Sequence, residues 1–152
     1  MKAAHGFLFA SILCAPTAQA EPTPEMIRKG VNDFGLTMVL GSIAANIASS
    51  LPKLVNKHTE VMSFEHSANK SSHMMTMLAR LVEVDKTKVS KATLQSTIAP
   101  SLEMDANQLC SAPVSGTLIK EYNVTYRLQY HDVAMRYLYG YDITQVRCRA
   151  MQ

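Results

Sequence analysis

From Tyr122 to Tyr130 the chain alternates strictly: Tyr122, Val124, Tyr126, Leu128 and Tyr130 interleave with Asn123, Thr125, Arg127 and Gln129. Side chains of an extended strand point to opposite faces in turn, so the pattern fits a strand with one buried and one wet face and fits no helix. Residues 131–134 turn the chain, and Met135, Tyr137, Tyr139, Tyr141 and Ile143 mark a partner strand. A lone two-stranded ribbon is barely stable in water, so the rest of the chain must supply more strands and a helical cover.

Two more strand-like runs lie upstream. In residues 59–66, Met62, Phe64 and His66 alternate with Val61, Ser63 and Glu65. In residues 73–84, Met75, Met77, Ala79 and Leu81 share a face opposite Thr76 and Arg80, and the polar cluster 67–72 joins the two runs as a turn. Helical signals flank this hairpin. Thr23-Pro24-Glu25 combines a capping hydroxyl, a proline suited to the first turn and an acid at the positive helix end. A stripe of Ile27, Val31, Phe34, Met38 and Ala45, widened by Leu36, Val39, Leu40, Ile43 and Ile47, predicts one helix to about Ser50, where Leu51-Pro52 stops it. Asp85-Lys86-Thr87 starts a second helix with Val89, Ala92, Leu94 and Ile98 inward, ending at Pro100. A loop through Asp105 and Asn107 leads to Cys110 and a short turn or helix over 113–119. The order α-β-β-α-α-β-β predicts an α+β domain: a four-stranded antiparallel sheet with helices packed on one face.

Residues 1–20 read as a secretory signal peptide. Lys2 supplies the positive start, residues 6–15 a short apolar run, and Ala18-Gln19-Ala20 the small residues of a cleavage site before Glu21. Lipidation at Cys14 is the competing reading, but Leu13 is bulky where that signal wants a small residue. Cleavage after Ala20 leaves residues 21–152 as a single domain in the periplasm or outside the cell. Lys2 departs with the leader, turning 15 basic against 12 acidic side chains into 14 against 12. So small an excess gives no footing for nucleic acid as a partner. Cys110 and Cys148 remain, an even count in an oxidising compartment, and predict a disulfide.

The stretch from Phe34 to Pro52 carries no charge, which raises a membrane span or membrane association through residues 34–51. Thr37, Ser42, Asn46, Ser49 and Ser50 dilute it, so a mostly buried helix is the expectation. Gly35 and Gly41 are then places where that helix packs closely on the sheet.

One segment has the form of a pattern near N-x-x-LP-x-x-V-x-x-x-T, running from Asn46 through Leu51-Pro52 and Val55 to Thr59. With Cys110-Ser111-Ala112-Pro113, the Tyr-rich hairpin and Cys148, residues 40–148 resemble a group of small exported proteins of Gram-negative bacteria. The chain departs from them at the last hairpin, where His131-Asp132-Val133-Ala134 replaces an Asp-Gly type turn. The resemblance implies the fold, the terminal disulfide clamp and the compartment. The group has no assigned activity, so no catalytic residue is carried over.

Chemistry is thin. No nucleophile motif is present, and adjacent His131 and Asp132 point apart if extended. His58, Met62, His66, His73, Met74, Met75 and Met77 make a soft cluster suited to copper, with His66, His73, Met74 and Met75 at its centre. Met at these positions is better explained as core filling, so no metal or cofactor is assigned. Tyr122, Tyr126, Tyr137, Tyr139 and Tyr141, with Tyr130 beside them, are a candidate binding surface. The reading that follows is a non-enzymatic periplasmic accessory protein of an envelope or secretion system, of immunity type among others. It would bind another envelope protein through its sheet face or long helix. The alternative is a small ligand-binding or hydrolytic protein with a pocket between helix and sheet.

Overall fold

A computed structural model describes residues 22–151. The predicted signal peptide and Cys14 lie outside the described residues. The elements run α1 (Pro24–Phe34), α2 (Leu36–Ala48), β1 (Lys53–Asn56), β2 (Thr59–Asn69), β3 (Ser72–Leu81), α3 (Lys91–Ser111), α4 (Pro113–Tyr122), β4 (Val124–His131), β5 (Tyr137–Ile143) and α5 (Gln145–Ala150).

The α+β class holds, but the sheet has five strands, in the order β1-β2-β3-β4-β5. The added strand, β1, has only four residues and pairs with β2 at the edge. The sheet is also mixed. β3 and β4, the central pair, run parallel, with His73 opposite Val124 and Arg80 opposite His131. Parallel neighbours need a crossover, and α3 with α4 forms it. Buried strand residues share one face: Val61, Phe64, Met75, Met77, Ala79, Leu81, Val124, Tyr126, Leu128, Tyr130 and Ile143. Helices α2 and α4 cover that face. The other face is mostly polar, and Arg127 clamps Asp142 across β4 and β5 with two hydrogen bonds of 2.7 Å.

In β2 the alternation slips. A bulge between Val61 and Ser63 lets Val61 and Phe64 both face the core, while Met62 is only half-buried. The sequence pattern had placed these two on opposite faces. The turn is also shorter than predicted: Asn69 ends β2, and its side-chain oxygen accepts from the Ser71 and Ser72 amides at 3.2 and 3.0 Å.

The long N-terminal helix is two helices. Gly35, at φ 84° and ψ 153°, divides them in a conformation that only glycine adopts without strain. Neither Gly35 nor Gly41 has an atom within 4 Å of where a Cβ would stand, so neither is a close-packing point. Gly116 is one: a Cβ there would lie 2.6 Å from the carbonyl oxygen of Cys110. That approach seats α4 against the end of α3.

Helix α3 starts later than predicted, at the Ser90 cap, whose Oγ accepts from Thr93 N at 3.1 Å. It also runs on through Pro100 to Ser111. An interior proline removes one helical hydrogen bond, and burial of Leu102, Ala106, Leu109 and Cys110 beyond it outweighs that loss. Tyr122 closes α4 rather than opening β4, and Asn123 in the left-handed region ends that helix. Cys110 on α3 and Cys148 on α5 are bonded, with Cα atoms 5.3 Å apart. Both are buried.

Candidate functional site

Among the described residues, an unfilled surface lies between α1 and α2. Pro22, Met26, Ile27, Phe34, Met38, Val39, Ser42 and Ile43 line an open groove of about 460 Å³. Sequence places them there for a simple reason. α2, Leu-Thr-Met-Val-Leu-Gly-Ser-Ile-Ala-Ala-Asn-Ile-Ala, has no charged residue, so it has apolar side chains to offer on more than one side. Leu40, Ala44 and Ile47 go to the sheet and are buried. Met38, Val39 and Ile43 go to the groove. α1 closes the other wall, and Arg28 ties it to α4 through hydrogen bonds of 2.8 and 2.6 Å to Glu121. Met26, Phe34 and Met38 remain 60, 67 and 61% exposed, although the core stripe had claimed the last two. The signal that would have found this site is the excess of apolar faces on an uncharged helix, with flexible methionines on the surplus one.

The groove is between helices, on the side of α2 away from the sheet. No helix among the described residues is long and apolar enough to cross a membrane.

The predicted tyrosine surface divides. Tyr126 and Tyr130 are 4% exposed and belong to the core. Burial raises both hydroxyls above their ordinary range, and the nearby Asp105 carboxyl adds to the rise at Tyr130. Tyr139 and Tyr141 are half-buried on that same face, opposite Tyr130 and Leu128. Tyr122 is half-buried at the end of α4. Tyr137 alone is strongly exposed, at 51%, and meets His131 edge-on.

Two buried carboxylates were not singled out from sequence. Asp132 sits under the β4–β5 turn, where it accepts from the amides of Lys86, Ala134 and Arg136 at 3.0, 2.9 and 2.8 Å and from Arg136 Nε at 2.7 Å. Burial alone would raise its carboxyl; Arg136 and those amides outweigh that and hold it well below the usual range. Asp105, buried on α3, accepts from the Tyr130 hydroxyl at 3.1 Å, and its second oxygen has no donor among the described residues. Burial lifts its carboxyl to about 6 against the lowering effect of that hydrogen bond. Both roles are architectural: one shapes a turn, the other joins α3 to β4.

Of the soft cluster, the structure brings His66 and His73 together, their ring nitrogens 3.2 Å apart. Burial, and then the neighbouring ring, lower the His66 imidazole. Met75 lies directly across from His66 on the same face, whereas Met74 pairs with Ser67 and points to the other. His58 is elsewhere, 2.6 Å from Glu83.

No family model matches the chain, and no curated relative does. Solved structures do. The pilotin EpsS of the Vibrio vulnificus type 2 secretion system is 14% identical, covers 74% of this chain and 90% of its own, and superposes with a TM-score of 0.52. A protein of Pseudomonas aeruginosa described as secreted is 12% identical, covers 78% and 97%, and reaches 0.56. The Vibrio cholerae type II pilotin AspS is 18% identical over 81% and 98%, with a TM-score of 0.44. The first two share this fold. At these identities the likeness is one of architecture.

Proposed function

We propose that this protein is a non-enzymatic accessory factor of a secretion system in the bacterial envelope, acting as a docking module of the pilotin kind. One observation carries the reading: an apolar groove stays open while the opposite side of the same helix is fully buried. Contiguous exposed apolar surface of this kind marks interaction sites. Its occupant is an amphipathic helix of another envelope protein. A cleft between two helices suits one apolar helix face, and methionines adjust to its side chains. The lining residues are uncharged, so the occupant presents apolar anchors to the floor. The fold shared with EpsS, a pilotin of a type 2 secretion system, supports the setting. The leader-like residues 1–20 support export.

The test is secretion in the native host. Met38→Asp puts a charge on the groove wall at a 61% exposed position, so the protein should fold normally by circular dichroism. Extracellular enzyme release should fall to the level of a strain lacking the gene. Unchanged release in the deletion strain overturns the secretion role. Unchanged release with Met38→Asp, where deletion abolishes it, moves docking away from the groove.

A further inference from the structure

His66 and His73 are neighbours on adjacent strands, set diagonally on the core-facing side near the end of the β2–β3 hairpin. Their ring planes differ by 9° and their centroids lie 5.5 Å apart, while His66 Nε2 and His73 Nδ1 are separated by 3.2 Å. The centroid separation exceeds the nitrogen separation by about two imidazole radii. Parallel rings laid over one another would show the reverse relation. The two imidazoles therefore lie nearly in one plane, end to end, with one nitrogen of each aimed at the other.

We propose that this pair is a binding site for a soft monovalent metal ion, Cu(I), held linearly between His66 Nε2 and His73 Nδ1. Three observations select the ion. First, two opposed lone pairs in one plane are a two-coordinate geometry, and no trio of His, Cys, Asp or Glu able to hold a metal occurs among the described residues. Structural zinc usually takes four ligands and calcium six or more, so a pair suits neither. Second, both rings are half-buried and neutral ligands, with no carboxylate in the pair to balance a dication. Placing a single charge there costs less desolvation than placing two. Third, buried Met75 stands directly opposite His66 on the same face, and Met77 is next along it. Thioethers beside imidazoles favour Cu(I) over the harder ions.

The geometry needs little change. Imidazole–metal bonds of about 2 Å put the nitrogens about 4 Å apart, so the rings must separate by under ~1 Å. Side-chain torsions at the end of a hairpin supply that. In the metal-free pair one ring donates its N–H to the other. The ion replaces that proton, which moves to the outer nitrogen of the same ring, so each imidazole stays neutral.

The experiment is an anaerobic competition between the full chain and a chromogenic Cu(I) chelator, with Zn(II) run in parallel. The protein should withdraw one equivalent of Cu(I). His66→Gln and His73→Gln should each weaken retention by about 10–100-fold, since losing a ligand costs no less than losing a group that orients one. His58→Gln, remote from the pair, should leave it unchanged. A mutation-free reading comes from ring-nitrogen NMR. Cu(I) must shift His66 Nε2 and His73 Nδ1 and leave His58 and His131 in place. The site is overturned if the chelator keeps the copper, if both Gln variants retain it equally well, or if Zn(II) is held more tightly than Cu(I).

Discussion

Helices α2 and α4 cover the same sheet face and differ in what happens on their far sides. α2 buries Leu40, Ala44 and Ile47 and leaves the side carrying Met38 open. α4 is buried at residues 115–119 without a break, because α1, α3 and α5 all pack around it as well as β4. Gly116 and the Ser115 hydroxyl, which donates to Leu109 O at 2.8 Å, let it sit that close. The C-terminal half is thus closed and cross-linked, and the N-terminal helix pair is finished only on its inner side. The first region carries the cross-link and the second the apolar groove. That separation lets a binding face change without loosening the core.

The most forceful way to break the contrast is to remove the bond in the closed half. Replacing Cys110 and Cys148 together by Ala should cost about 2–4 kcal/mol, the typical value for a bridge closing a loop of this order. Denaturant melts with and without reductant check it, the variant matching the reduced wild type. A smaller effect is expected at Asp105, which binds its proton more tightly folded than unfolded. Its contribution is therefore complete below the unfolded value near ~4 and is lost as the pH rises through about 6. Asp105→Asn keeps an acceptor for Tyr130 and cannot ionise. It should match the wild type at acid pH and exceed it by a little under ~3 kcal/mol at alkaline pH. Parallel melts across that range show whether the gap opens. The least change in stability is expected in the groove, where Phe34→Ser at a 67% exposed position should alter it by no more than ~0.5 kcal/mol. A large loss of stability by thermal melting would mean that Phe34 belongs to the core after all.

Sequence made some of these features plain and hid others for physical reasons. The alternation at Met75, Met77, Ala79 and Leu81 and at Val124, Tyr126, Leu128 and Tyr130 reports burial directly, and those strands match it. The cysteine pairing followed from an even count. Parallel pairing of β3 with β4 was illegible, since alternation marks a strand and says nothing of its neighbour. The bulge near Met62 carries no local signature, and one extra residue inverts the facing of everything beyond it. Pro100 misled because a local rule was outweighed by packing further along α3. The groove was hidden by the uncharged run itself. Where every side of a helix is apolar, periodicity cannot tell the side that meets the sheet from the side that does not.

The parallel seam has a kinetic consequence. β3 and β4 can pair only after the whole of α3 and α4 has been laid between them, so the centre of the sheet depends on its longest-range strand pairing. Contacts of that kind slow folding much more than they weaken the folded state. The disulfide does little to hasten this step. Both its cysteines lie beyond β3, with β4 and β5 inside the loop of 38 residues that it closes. The route from the end of β3 to the end of β4 through the bond is hardly shorter than the route along the backbone. The bridge preserves a sheet it does little to assemble, and the seam sets the pace at which the chain becomes this protein.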